Sequence, residues 1–158
     1  MKKAIKTNYS LLVYVLFVIF FLNACKKADN EENQPVVQPT TYTSSMSAKI
    51  DGVTFVPQTI TVQTIMGKIC ISGMTGQKNL QVRLVESFTT GSHSMSHLGD
   101  YTGLYNPDNS DSYLSQSGTI NITEYVPTSG KIKGTFSFVG SNYSTTVNVT
   151  NGVFEAYK

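Results

Sequence analysis

Tryptophan is absent from the 158 residues, cysteine occurs twice, and only 14% of the chain is charged. Two cysteines cannot build a disulfide framework, and they are too few for a zinc site of paired Cys-x-x-Cys motifs. There is no Gly-x-Ser-x-Gly elbow and no phosphate-cradling glycine loop after a strand. The lack of indole rings removes the flattest platform for a sugar. From Met46 onward seven basic and seven acidic side chains are scattered along the chain, so no field of one sign is built up and nucleic-acid binding has no support. No apolar stripe of 3.6-residue period follows Cys25, which leaves the mature chain without a predicted helix.

What is present begins with an unusual N-terminus. Lys2, Lys3 and Lys6 precede twelve uninterrupted apolar residues, Leu11 to Leu22. As a helix that run reaches roughly 18 Å, short of the hydrocarbon core of about 30 Å that a permanent span must cross. A positive start, a short apolar run and small residues make up a secretory signal peptide, here 1–24. Leu22-Asn23-Ala24-Cys25 resembles the bacterial lipobox, which implies that Cys25 is acylated and becomes the mature N-terminus. Each buried acyl methylene contributes about 0.8 kcal/mol, so two or three chains anchor a protein stably to a bilayer. Without residues 1–24 the nine basic and ten acidic side chains that remain give a net charge of −1.

Residues 25–45 are expected to be the lipidated cysteine and its tether. Lys26 to Ser45 is polar, with two prolines and only Val36, Val37 and Tyr42 as sizeable apolar groups. Such a stretch buries too little surface to offset its ordering entropy. A flexible chain of that length holds a domain roughly 25 Å from the bilayer. The acid-containing run Lys26 to Glu32 is similar to the stretch behind the lipidated cysteine in surface-exposed lipoproteins. An ordinary solvated charge cluster is the alternative, so both an outward-facing and a periplasm-facing location stay open.

Residues 46–158 form the expected all-β domain. Ile60/Val62, Ile69/Ile71, Leu80/Val82/Leu84, Ile120/Ile122, Ile132/Phe136/Phe138 and Val147/Val149 each alternate with polar or small residues. That period of two gives every strand one buried and one wet face. Asp51-Gly52, Met66-Gly67, Gly76-Gln77, Pro127 to Gly130, Ser141-Asn142 and Asn151-Gly152 read as turns between the runs. The pattern predicts a single antiparallel β-sandwich of about eight to ten strands, with a barrel as the alternative. One stretch breaks the rhythm: Phe88 to Gly118 reads as a long loop rich in Gly, Ser, Asn and Asp.

Ala48-Lys49-Ile50-Asp51-Gly52-Val53-Thr54-Phe55, Gly118 to Thr123, Gly134 to Phe138 and Val149 to Phe154 together resemble a family of small Bacteroidota lipoproteins catalogued as a domain of unknown function. The resemblance covers nearly the whole domain. Its motifs are turn glycines and core aromatics, so it implies a fold and carries no activity, cofactor or site.

Candidate site residues concentrate in the irregular segment: His93, His97, Asp100, Tyr101, Tyr105, Asp108 and Tyr113. Tyrosines supply contact area with a polar handle, and packing over the end of the core is the competing role. His93 and His97 are four apart, a metal-ligand spacing on a helix. In an extended chain they stand roughly 13 Å apart and cannot share one ion. Asn106 to Asp111 has alternating oxygen ligands like a calcium loop, yet Asp111 stands where the glycine belongs and Ser117 where the bidentate acid belongs. An Asx turn accounts for the run more simply. Cys70, without a neighbouring base in sequence, reads as a packed, inert thiol. Glu86 and Glu124 are a conceivable carboxylate pair. No cofactor and no metal is expected. The expected partners are the bilayer, through acylated Cys25, and an extracellular or periplasmic ligand or protein. Three roles compete: a ligand-binding module, an assembly accessory of an outer-membrane complex, and a hydrolase.

Overall fold

A computed structural model describes residues 41–158; the expected signal peptide 1–24, Cys25 and the expected tether up to residue 40 lie outside the described residues. Every regular element described is a strand: β1 Ser45–Ile50, β2 Val53–Phe55, β3 Thr59–Ile65, β4 Lys68–Thr75, β5 Lys78–Val85, β6 Gly91–Ser94, β7 Thr102–Asn106, β8 Tyr113–Val126, β9 Lys131–Ser141 and β10 Thr146–Tyr157. They make one antiparallel sheet in the order β2-β1-β10-β9-β8-β7-β5-β4-β3, with β6 also paired to β8. Both the all-β class and the strand number agree with the alternation in the sequence.

The connectivity forces this sheet to curl. Laid flat at about 4.8 Å per strand, its two edges would stand about 38 Å apart. Only Val56, Pro57 and Gln58 join edge strand β2 to edge strand β3, and three residues span at most about 14 Å. The edges therefore approach one another and the sheet becomes a half-closed barrel. Since every pairing is antiparallel, β2 and β3 run the same way. They act as one strand broken at Pro57, its first part paired to β1 and its second to β4. The break is fastened by Gln58 N–H on the Met74 carbonyl at 2.8 Å and by the Thr75 hydroxyl on the Val56 carbonyl at 3.2 Å. Pro57 packs onto Gly73, where a Cβ would stand 2.7 Å from the proline ring.

Inside the curl, phenylalanines lie over glycines of neighbouring strands. Phe136 is the cross-strand partner of Gly152, Phe154 of Gly134 and Phe138 of Gly118, while the Phe138 ring also covers Gly103. Glycine leaves the space that the ring fills, and the missing Cβ lets the strand bend sharply. Ile71, Leu80, Val82, Leu84, Ile120, Ile132 and Val149 complete the dry interior.

Two elements differ from the sequence expectation. Asn151-Gly152 does not end a strand; it is a bulge within β10, where the register shifts between Val149 and Gly152 and Asn151 takes φ of 52°. A positive φ serves a bulge as well as a turn, so the dipeptide alone does not separate them. The segment Phe88 to Gly118 is not a long loop, because it contains β6 and β7. Their short sequences, GSHS and TGLYN, lack the apolar alternation that marks the longer strands. β7 meets β8 only through Leu104–Leu114 and Tyr105–Tyr113. Beyond that point the Ser115 hydroxyl accepts the Gly103 N–H at 2.9 Å, and β8 is free to pair with β6.

Gly152→Ala tests the ring-on-glycine packing. Its Cβ would stand 2.6 Å from three atoms of the Phe136 ring, an overpacking expected to cost about 2 kcal/mol and to lower Tm by roughly 8 °C. The double variant with Phe136→Leu should recover part of that loss in thermal denaturation; strict additivity would contradict the contact.

Candidate functional site

Antiparallel strands gather their turns at two ends, and four turns share one of them: Asp51-Gly52, Gly76-Gln77, residues 107–112 and residues 142–145. Between them lies a cavity of about 350 Å³. Phe55, Tyr105, Tyr113 and Pro107 form one side, Ile50, Val53 and Val147 add aliphatic surface, and Asp51, Lys78, Thr54 and Thr146 bring polar groups.

Tyr105 forms the inner wall. Alternation on β7 turns it inward, between Leu80 of β5 and Tyr113 of β8, and it is only 7% exposed. Its ring lies 6.5 Å from Phe55, edge to face, and 6.4 Å from Tyr113. Burial, followed by the charge of Asp51, the neighbouring Tyr113 and the charge of Asp108, raises its pKa above the ordinary tyrosine value. The phenol is therefore neutral and able to donate. It has no hydrogen-bond partner among the described residues. The Tyr113 hydroxyl, by contrast, is engaged with the Thr145 hydroxyl at 3.0 Å.

Asp51 is held rigidly. It and Gly52 both have positive φ, 48° and 82°, the backbone of a two-residue hairpin turn. Its N–H donates to the Asn148 carbonyl at 2.9 Å, and its Oδ1 accepts the Asn148 N–H at 2.8 Å. Oδ2 has no partner among the described residues. Lys78, at the start of β5, makes none of the ion pairs found among the described residues.

Four other sequence candidates occupy the opposite end. His93 of β6 stacks on Tyr101, ring centroids 4.3 Å apart and planes at 14°, and its Nε2 contacts the Thr89 carbonyl at 2.8 Å. A carbonyl only accepts, so Nε2 carries the proton. His97 and Asp100 are exposed in the turn after β6, which Lys68 Nζ fastens through the Gly99 carbonyl at 2.6 Å. No group of three or more His, Cys, Asp or Glu is placed to hold a metal among the described residues. Glu86 pairs with Lys158 at 2.8 Å and Glu124 with Lys131 at 3.2 Å, each engaged with its own cation. Cys70 is buried and free, its thiol donating weakly to the Lys68 carbonyl at 3.7 Å. Of the tyrosines singled out in the sequence, Tyr105 and Tyr113 thus share the cavity and Tyr101 does not. Asp51, Lys78 and Phe55 were not among the sequence candidates.

The profile of one protein family matches residues 42–157. The chain belongs to the family described as a domain of unknown function (DUF6252). No curated protein and no solved structure matches it. The DUF6252 segment coincides with the folded unit. Tyr42 at its start stacks on Tyr157 at its end, ring centroids 4.7 Å apart, and the Ser44 hydroxyl accepts the Tyr157 N–H at 3.2 Å. Within the DUF6252 barrel, Gly134 with Phe154 and Gly152 with Phe136 are ring-on-glycine pairs.

Asp108 organises the 107–112 turn of this DUF6252 domain. Its Oδ1 accepts the Ser110 hydroxyl at 2.7 Å, the Ser110 N–H at 2.8 Å and the Asp111 N–H at 3.0 Å, an Asx turn. The Ser110 hydroxyl, then the two N–H groups, hold the carboxyl below the ordinary aspartate range. With the folded pKa below the unfolded one, the turn's contribution is complete above the unfolded value and fades as pH falls through the folded one. Carboxyl ¹³C NMR should show Asp108 titrating below a free aspartate, together with Ser110 and Asp111 amide shifts. A midpoint at or above the ordinary range would refute this account of the turn.

Proposed function

We propose that the protein is a lipid-anchored, non-catalytic binding module of a bacterial cell envelope, held at the outer membrane through acylated Cys25 and taking its ligand at the Tyr105–Tyr113 mouth. The observation that carries the binding role is an aromatic cavity of about 350 Å³ walled by the buried ring of Tyr105, whose hydroxyl has no partner among the described residues. Binding sites are of this kind: concave, largely apolar, with a few convergent polar groups. The anchor rests on the sequence of residues 1–25, a charged start, a short apolar run and a lipobox. His97 and Asp100 are exposed at the far end from that cavity and contribute nothing to its lining.

A second reading, an assembly accessory, is favoured by β3. It is an edge strand of seven residues, TITVQTI, with no charge and no proline, lacking the devices that usually discourage strand addition.

Cys25→Ala should abolish incorporation of radiolabelled palmitate and move the protein from the detergent to the aqueous phase of a Triton X-114 partition. Retained labelling would exclude Cys25 as the acylated residue. In protease shaving of intact cells, the surface-exposed version expects the domain to be digested while a periplasmic control survives. Protection of the domain would turn it to the periplasm.

A further inference from the structure

The mouth described above has a more specific chemistry than an aromatic cleft. Three groups with unspent polar capacity surround an apolar floor. The Tyr105 hydroxyl has no partner among the described residues, although its side chain is more than nine-tenths buried. Asp51 uses Oδ1 on Asn148 and keeps its second oxygen open. Lys78 lines the same cavity and has no ion pair among the described residues. Ile50, Val53, Phe55 and Val147 present hydrocarbon between them.

Resting on the binding reading above, we propose that this mouth takes a small zwitterion with an apolar side chain: an α-amino acid, or a short peptide carrying the same ammonium, apolar body and carboxylate. The ammonium meets the open oxygen of Asp51 and the faces of the tyrosines, where a cation is favoured by the ring quadrupole. The carboxylate meets Lys78, and the side chain covers the Phe55 floor. Tyr105 donates to whichever ligand oxygen reaches the inner wall. A simple anion would face Asp51 and a simple cation would face Lys78, each as a like charge. A neutral sugar would leave both protein charges uncompensated as it displaced their water. The volume, on the order of ten water molecules, suits a single amino acid or a dipeptide.

The test uses the full chain in lipid nanodiscs, with isothermal titration calorimetry and ¹³C-labelled tyrosine rings observed by NMR. The probes are L-phenylalanine, glycyl-L-phenylalanine, phenethylamine, 3-phenylpropionate and methyl α-D-glucoside. L-Phenylalanine or the dipeptide is expected to shift the Tyr105 and Tyr113 resonances, the tighter of the two naming the source. Phenethylamine and 3-phenylpropionate each lack one charge and should bind about tenfold more weakly, one charge-assisted contact being lost. Asp51→Asn keeps the acceptor for Asn148 and should weaken L-phenylalanine about tenfold while leaving 3-phenylpropionate unweakened. Lys78→Gln should do the reverse, sparing phenethylamine. Tyr105→Phe, which removes no protein hydrogen bond, should reduce affinity with Tm unchanged. Binding of the glucoside with no response to either zwitterion would overturn the ligand class and leave the binding module standing. If no probe moves the Tyr105 and Tyr113 resonances, both fall.

Discussion

Bending an antiparallel sheet tightly enough to bring its ends together crowds the inner face, and this chain relieves the crowding by setting phenylalanine against glycine. Phe136 over Gly152 and Phe154 over Gly134 join β9 to β10, and the Phe138 ring of β9 lies over Gly103 of β7. Each ring takes the volume that two ordinary side chains would contest. Bulges in β1, β8 and β10 add local twist. With the long strands so curved, the three-residue link at Pro57 is able to join the two sheet edges. The cavity is what remains at the end where the turns of these curved strands converge.

The period-two runs made the longer strands legible, as did Asp51-Gly52 and Met66-Gly67, whose positive φ values match the hairpin turns that their sequences call for. β6 and β7 were not legible. β7 is held between β5 and β8 and β6 is held against β8, so neither short strand needs apolar alternation of its own, and tertiary pairing overrides its weak local preference. Asn151-Gly152 misled because one backbone conformation serves two structures. The choice between sandwich and barrel stayed open in the sequence, since the curl follows from which strands become edges, and that is a fact of pairing.

The same limit governed the site. Tyr105 and Tyr113 stood out as tyrosines in an irregular segment, and both line the cavity. His93, His97, Asp100 and Tyr101 belong to the same stretch of sequence, but β7 carries the chain from one end of the barrel to the other, so closeness in sequence became separation in space. Asp51 and Lys78 are ordinary charges in a chain where charges are evenly scattered. Only the strand order brings the β1–β2 turn and the start of β5 around the same opening. Nothing local marks either residue as different from Lys49 or Lys133.

β1 has a direction, and that direction separates the point where the chain enters from the mouth. Ser45 pairs with Glu155, close to the C-terminus, while Ile50 at the other end of the strand pairs with Val149 and leads into Asp51 at the cavity. The chain therefore enters the barrel at the pole opposite the mouth. At that far pole the first and last strands lie side by side along one ladder. A load applied there would run along β1 and β10 in shear, across many hydrogen bonds at once, and not through the turns around the opening.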